Sequence, residues 1–278
     1  GFLSAIAMGR DVVPSTPGAA YADPSDAGGF AKAPAVPKVK DWERCFEFLA
    51  TVTTGVLFLS RALKPPVVFI ATSVVLWLLW AIFQCRRYGK GVLFLWGLRI
   101  DCPNLKYSFI CPSIFAILAM VFICVGTVTQ GHSIAVQNWR FWLVLVIYPF
   151  WGVFIQVLLQ SMLMRHLNWF FTGSDEDGVL DSLGKSRAVC CDKNSCWYLW
   201  GSLLTIPSSS IAFLILHSSD GWLMAFHGVM GLVWVVEYWI HQNVLPLGLY
   251  HGLLGTMFYF WFMGRDPLNI MFSTSQIG

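Results

Sequence analysis

Long runs of apolar residues, separated by short polar segments, dominate the chain after its first 44 residues. A helix that crosses a bilayer needs about 20 such residues, and several runs approach or exceed that length. The apolar runs lie at 45–63, 65–84, 109–130, 141–168, 197–217, 221–240 and 243–264. The pattern predicts an all-α polytopic membrane protein with about seven transmembrane helices.

Smaller features modify this outline. The run 91–99 is too short to span a bilayer and predicts a helix at the membrane interface. Pro65 and Pro66 open the second span, where a missing amide hydrogen costs little. Pro149 and Pro207 lie inside spans, and we expect each to kink its helix.

Composition and charge support a membrane protein. Only 12% of residues are charged, whereas soluble domains carry about 25%. The net charge of +3 is small, and no basic stripe alternates with aromatic residues, so nucleic acid is not an expected partner. Aromatic residues make up 16% of the chain, which suits contact with membrane lipid, pigment or partner helices.

The distribution of basic residues predicts an orientation. If the seven runs alternate across the membrane, 14 of the 18 Lys and Arg residues fall on one side, together with the N-terminus. By the positive-inside rule, that side is cytoplasmic or stromal, and the C-terminus lies opposite.

The first 44 residues form an extended tail rich in Pro, Gly and Ala, which cannot build its own core. Either the membrane domain or another membrane subunit would hold this tail, and we favour another subunit. The sequence has no initial Met and no apolar signal core at residue 1, which predicts a processed N-terminus.

Polar residues inside spans need a reason, because a charge in lipid costs at least ~2.5 kcal/mol. We expect the first three spans to be almost bare, apart from Arg61 and several Thr and Ser, and we assign no carboxylate to their interiors. The polar side chains of the last four spans are Gln156, Gln160, Ser161, Arg165, His166, His217, His227, Glu237, His241 and His251. We therefore expect an apolar N-terminal part and a polar-cored C-terminal part.

Three short motifs stand in order on these later spans: Gln160-Ser161-x-x-x-Arg165, Phe213-x-x-x-His217 and His251-x-x-x-Gly255. They resemble the Glu-Glu-x-x-x-Arg, Phe-x-x-x-His and His-x-x-x-Asn motifs of the CPBP family, the CAAX-processing and bacteriocin-processing type of intramembrane proteases. Composition and apolar runs give a tail (1–44), N-terminal transmembrane helices (45–135) and a C-terminal tail (265–278), and the resemblance implies a CPBP-like helical core (136–264) between them.

The departures from the family motifs concern the catalytic groups. The family chemistry uses a carboxylate as general base, assisted by histidines. Gln160 and Ser161 occupy the positions of the Glu pair, and Gly255 replaces the Asn. An amide cannot accept a proton at neutral pH. The resemblance therefore implies a vestigial site, with His217 and His251 retained.

Glu237 offers one alternative. This residue would act as a displaced base if it faced His217 or His251; otherwise it would pair with His241, its i+4 neighbour, or lie near the head groups.

His227 and His251 offer a second alternative. Neutral imidazole can ligate haem iron or chlorophyll magnesium, but both residues would equally serve as hydrogen-bonded core histidines. No cofactor is required by the sequence, and chlorophyll, carotenoid or lipid would bind at the periphery.

Two further clusters have alternative interpretations. Cys190, Cys191 and Cys196 share a polar loop. They would form a metal or redox site, or they would be ordinary reduced thiols. Small residues at Gly248 and Gly252 share a helix face, which predicts close helix packing; Gly228, Gly231 and Gly255 extend the pattern.

These observations favour a catalytically degenerate CPBP-like protein that acts as an accessory or structural subunit of a larger membrane complex. The Ala- and Pro-rich tail resembles those of processed plastid proteins, so a photosynthetic complex of the thylakoid membrane is our specific hypothesis. The alternatives are an active intramembrane peptidase that uses Glu237 and a pigment- or haem-binding membrane protein.

Overall fold

A computed structural model describes residues 39–59, 67–100, 105–134, 136–172, 193–217 and 220–272. Over these residues the chain is helical and contains no strand, which confirms the predicted all-α class. The α-helices are α1 (Asp41–Leu59), α2 (Val67–Tyr88), α3 (Gly91–Leu95), α4 (Leu105–Thr129), α5 (Trp139–Gln156), α6 (Met164–Thr172), α7 (Lys193–Leu216), α8 (Gly221–His241), α9 (Val244–Met257) and α10 (Pro267–Phe272).

Two π-helical segments interrupt this pattern. One, Val157–Leu163, joins α5 to α6 so that the three form one long helix, and the other, Phe258–Phe262, extends α9. A π turn bonds each residue to the fifth one along instead of the fourth, and such turns often occur at functional sites. Pro149 and Pro207 lie within helices that continue past them, so their kinks stay predictions.

Four helices of the described residues are long and apolar enough to cross a membrane: Ile70–Tyr88, Leu105–Thr129, Trp139–Phe171 and Gly221–His241. Leu203–Leu216 is a shorter apolar helix. These findings support an integral membrane protein.

The helix expected at the membrane interface is partly buried within the protein. Within α3 and just after it, Val92 and Trp96 are almost completely covered. They pack in a cluster with Leu158 and Met162 of the first π segment. This short helix therefore contributes to the core through Val92 and Trp96, and its depth relative to the head groups stays a prediction.

Local side chains fix several helix ends. Asp220 caps α8 by accepting the Trp222 N–H at 2.9 Å, and Asn243 caps α9 by accepting the Leu245 N–H at 3.1 Å. Between these two helices, Gln242 adopts a left-handed conformation with φ 49°. The connection from α8 to α9 is therefore only two residues long.

Glycines bring α5 and α9 into backbone contact, as the sequence predicts. A Cβ atom added at Gly252 would lie 2.3 Å from the Cα of Pro149, and one at Gly248 would lie 2.3 Å from the Cα of Val153. On the facing helix, a Cβ at Gly152 would meet the Gly248 carbonyl oxygen at 2.2 Å. No larger residue fits at these three positions without moving a backbone.

Candidate functional site

Three histidines from three different parts of the fold meet inside the protein. His217 directly follows α7, His227 lies on α8 and His251 on α9, and we call them the histidine triad. One ring nitrogen from each lies within 4.8 Å of the other two. The rings of His217 and His227 stack with centroids 3.7 Å apart, and the His251 ring lies 5.6 Å from that of His227.

Backbone carbonyls orient two of the triad rings. Nδ1 of His217 lies 2.9 Å from the Phe213 carbonyl oxygen, and Nδ1 of His227 lies 2.9 Å from that of Leu223. Because a carbonyl can only accept, each Nδ1 must carry the proton. Nε2 of both neutral rings is then left with its lone pair.

A glutamine adjoins the third ring. Nδ1 of His251 lies 3.2 Å from the side-chain nitrogen of Gln156, which is fully buried on α5. The family resemblance places Gln160 and Ser161 at this level. The structure puts these two residues in the π segment, both fully buried, and neither side chain hydrogen-bonds to the triad within the described part of the chain.

Arg165 of the first motif contacts a carboxylate from the N-terminal part. The Glu47 side chain is 1% exposed, and one of its oxygens lies 2.5 Å from Arg165 Nη2 and 3.4 Å from His166 Nε2. Its other oxygen accepts the Trp80 Nε1–H at 3.1 Å. We call these four residues the Glu47 cluster.

A second buried carboxylate lies one turn earlier on α1. Glu43 pairs with Arg87 at 2.7 Å, and it accepts the Tyr88 hydroxyl at 2.6 Å and the Lys40 backbone N–H at 3.2 Å. Glu47 lies inside the predicted first span (45–63), so the expectation that this span holds no carboxylate is wrong. The i, i+4 spacing of Glu43 and Glu47 on one face of an apolar helix was the available signal.

Glu237 is placed far from the triad. Its Oε2 lies 3.7 Å from Nε2 of His241, one turn along the same helix. His227 and Glu237 are ten residues apart on α8, which corresponds to about 15 Å along a helix axis. The structure thus gives Glu237 its i+4 partner and does not bring it to His217 or His251.

The remaining candidate residues are buried or pack closely against neighbouring side chains. His227 and His251 are 0% and 2% exposed, and their role as ligands of haem or chlorophyll stays a prediction. At Gly255, a Cβ would lie 2.8 Å from the Tyr148 ring, so close packing occupies the position of the family Asn. Gly228 and Gly231 pack against Leu214 and Phe213 respectively.

Some predicted features lie outside the described residues. These are residues 1–38 of the tail, Arg61, Pro65, Pro66, Cys190, Cys191 and residues 273–278. Cys196 falls within α7.

Comparison with protein-family models, with curated proteins and with solved structures gives no match for this chain. What the chain does must therefore be argued from its own residues.

Proposed function

We propose that this chain is a catalytically degenerate CPBP-like membrane protein that serves as an accessory or structural subunit of a larger membrane complex. The observation that carries the proposal is the surroundings of the histidine triad. Within the described residues, the side chain that hydrogen-bonds to the triad is the amide of Gln156. Among the described residues, no carboxylate hydrogen-bonds or ion-pairs with a triad ring, so the triad lacks the base that peptide hydrolysis by this family needs.

The buried carboxylates have other partners. Glu47 is bound by Arg165 and His166, and Glu43 by Arg87. A carboxylate that holds an arginine in an ion pair is poorly suited to take a proton from water. In addition, about nine residues of helix separate Arg165 from Gln156, so the Glu47 cluster and the triad are distinct sites.

The ion pair that Arg165 forms with Glu47 supports a structural role for this motif. In the family motif this arginine follows the catalytic carboxylates, whereas here it attaches α1 to the long helix through Glu47. Outward faces of the membrane helices carry exposed apolar side chains, for example Leu76 and Leu79 on α2 and Ile117 and Leu118 on α4. Such faces suit lipid and neighbouring subunits.

Seven spans, an N-terminus on the cytoplasmic or stromal side and a C-terminus opposite complete the proposal. A photosynthetic complex of the thylakoid membrane is its most specific form, and the tail composition is what supports it. Chlorophyll, carotenoid or lipid would then contact the outer faces of the helices.

The absence of peptidase activity is the first test. We expect the chain, reconstituted in lipid nanodiscs, to cleave a pool of internally quenched peptides no faster than empty nanodiscs. An active CPBP protease serves as the positive control, and Glu237→Gln as the matched variant. Cleavage by the chain that disappears in Glu237→Gln would establish the displaced-base alternative and overturn the proposal.

Assembly is the second test. After mild detergent extraction from its native membrane, we expect the chain to migrate on native gels within a larger complex, with residues 1–44 protected from added protease. Migration as a lone monomer with a protease-sensitive tail would contradict a subunit role, whatever the peptidase assay shows.

The orientation can be tested by cysteine labelling. In a cysteine-free background, single cysteines at Ser25 and Ser275 mark the two ends of the chain. An odd number of spans puts them on opposite sides, so a membrane-impermeant maleimide should label only one of them in sealed vesicles. Labelling of both from the same side would show an even number of spans.

A further inference from the structure

We propose that the histidine triad is a metal site, in which His217, His227 and His251 ligate one transition-metal ion of the class that prefers imidazole and so tie α7, α8 and α9 together. This inference goes beyond the proposed subunit role and does not depend on it.

Distance is the first argument. The three ring nitrogens already lie within 4.8 Å of one another. Three imidazoles around a tetrahedral ion with bonds of 2.0–2.1 Å place their nitrogens about 3.4 Å apart. Rotation about the Cβ–Cγ bond, which is a soft torsion for histidine, can close that gap.

The stacked pair is the second argument. His217 and His227 lie nearly parallel, 9° apart, with centroids 3.7 Å apart. Aromatic pairs prefer offset or edge-to-face packing over this close, parallel arrangement. A shared ligand at the ring edges would account for two imidazoles held so near each other in an apolar bundle.

Protonation is the third argument. The carbonyls of Phe213 and Leu223 hold the protons of His217 and His227 on Nδ1, an outer-shell contact typical of metal-bound histidine. Nε2 of His227 is fully buried and has no hydrogen-bond partner within the described part of the chain. A buried lone pair without a donor is unfavourable, and a metal ion would satisfy it.

Gln156 would perform the same outer-shell role for His251. Its side-chain oxygen is buried and has no partner in the described residues, while its nitrogen faces Nδ1 of His251. Turning the amide by 180° exchanges the two atoms. The oxygen then accepts the Nδ1–H, and the His251 Nε2 lone pair becomes available for the ion.

The charge of the ion distinguishes between the two metals that the triad would bind, zinc and copper. Imidazole suits both zinc and copper. The triad ligands are neutral, and no carboxylate from the described residues joins them, so these ligands leave the charge of the ion uncompensated. Because the cost of burying an ion rises with the square of its charge, Cu⁺ is favoured over Zn²⁺ unless the zinc carries a hydroxide.

The test measures metal content, which is independent of any peptidase or assembly assay. Chelator-stripped protein in nanodiscs is dialysed against ZnCl₂, or against Cu⁺ kept reduced by ascorbate, and then freed of unbound metal. We expect one ion per chain by mass spectrometry, three nitrogen ligands by X-ray absorption, and a rise in Tm. A protein that retains neither ion overturns the proposal.

Variants separate a built site from adventitious binding. His227→Ala should abolish retention, whereas His241→Ala, a membrane histidine outside the triad, should retain one ion per chain. Should His227→Ala fail to fold, Gln156→Leu provides the alternative, with an affinity about 10–100-fold weaker than that of the unmodified chain. Equal retention by the unmodified chain and a folded His227→Ala or Gln156→Leu would contradict the assignment.

Discussion

Replacing Glu47 by glutamine should destabilise the folded protein by about 3 kcal/mol, at the lower end of the cost of breaking a buried ion pair. The carboxylate is 1% exposed and neutralises Arg165, whose side chain is 21% exposed. Glutamine keeps the size of the side chain but leaves the arginine charge without its partner. It also weakens the acceptor for Trp80 and His166, so α1 loses a buried polar attachment to the long helix.

A double-mutant cycle checks this prediction. Unfolding by denaturing detergent, followed through tryptophan fluorescence, gives the free energy for Glu47→Gln, Arg165→Met and the pair. We expect the double variant to be more stable than the sum of the single losses implies, because neither charge then stays uncompensated. Asp41→Asn, an exposed carboxylate in the first turn of α1, is the matched control. Equal losses in Glu47→Gln and Asp41→Asn would contradict an important role for the pair.

Gly252→Ala should cost about 3 kcal/mol, within the usual range for overpacking a close contact. The added methyl would lie 2.3 Å from Cα and N of Pro149 and 2.5 Å from the carbonyl carbon of Tyr148. All of these are backbone atoms, so no side chain can rotate away, and α5 and α9 must separate. Leucine at the same position should prevent folding altogether.

Gly55→Ala is the control for this prediction. Gly55 also lies inside an apolar helix, but no atom comes within 4 Å of the position that an added methyl group would occupy there. Alanine favours helix over glycine by up to about 1 kcal/mol, so the change at Gly55 should be neutral or stabilising. The same detergent unfolding curve measures both variants. A Gly252→Ala protein as stable as Gly55→Ala would show that the two helices do not approach as closely as described.

The helices and their close contacts could be predicted from sequence because both depend on local composition. Apolar runs of sufficient length must be helical in lipid, where each backbone amide needs a partner within its own segment. The spacing of Gly248 and Gly252 likewise identifies a smooth helix face before any partner is known. Sequence does not show that the partner is α5, with Gly152 at the crossing.

The polar sites could be predicted only in part, because their contacts join distant residues. Glu47 and Arg165 are 118 positions apart, and neither residue alone indicates the other. The family-based interpretation separates His227 from His217 and His251, since His227 belongs to none of the three motifs. Which histidines meet depends on how α7, α8 and α9 rotate about their axes, and short motifs do not encode that rotation.

Gln156, which adjoins the triad, lies just before the π segment, whereas Gln160 lies within it. Spacing arguments assume 3.6 residues per turn throughout, whereas Val157–Leu163 follows a wider turn. No residue type marks this change, since the segment contains ordinary helix-forming side chains. The family resemblance assigns Gln160 and Ser161 to the catalytic level, and both lie within this segment.

The same segment sets the angular relation between the two polar sites. A π turn accommodates one residue more than an α turn. If Val157–Leu163 formed a regular α-helix without any change in length, everything beyond it would rotate by about 100°. Gln156 would still face His251, but Arg165 would point away from Glu47. Homologous sequences that are shorter by one residue here could replace the π turn by a regular α turn and would then be expected to keep the pairing of α1 with the long helix.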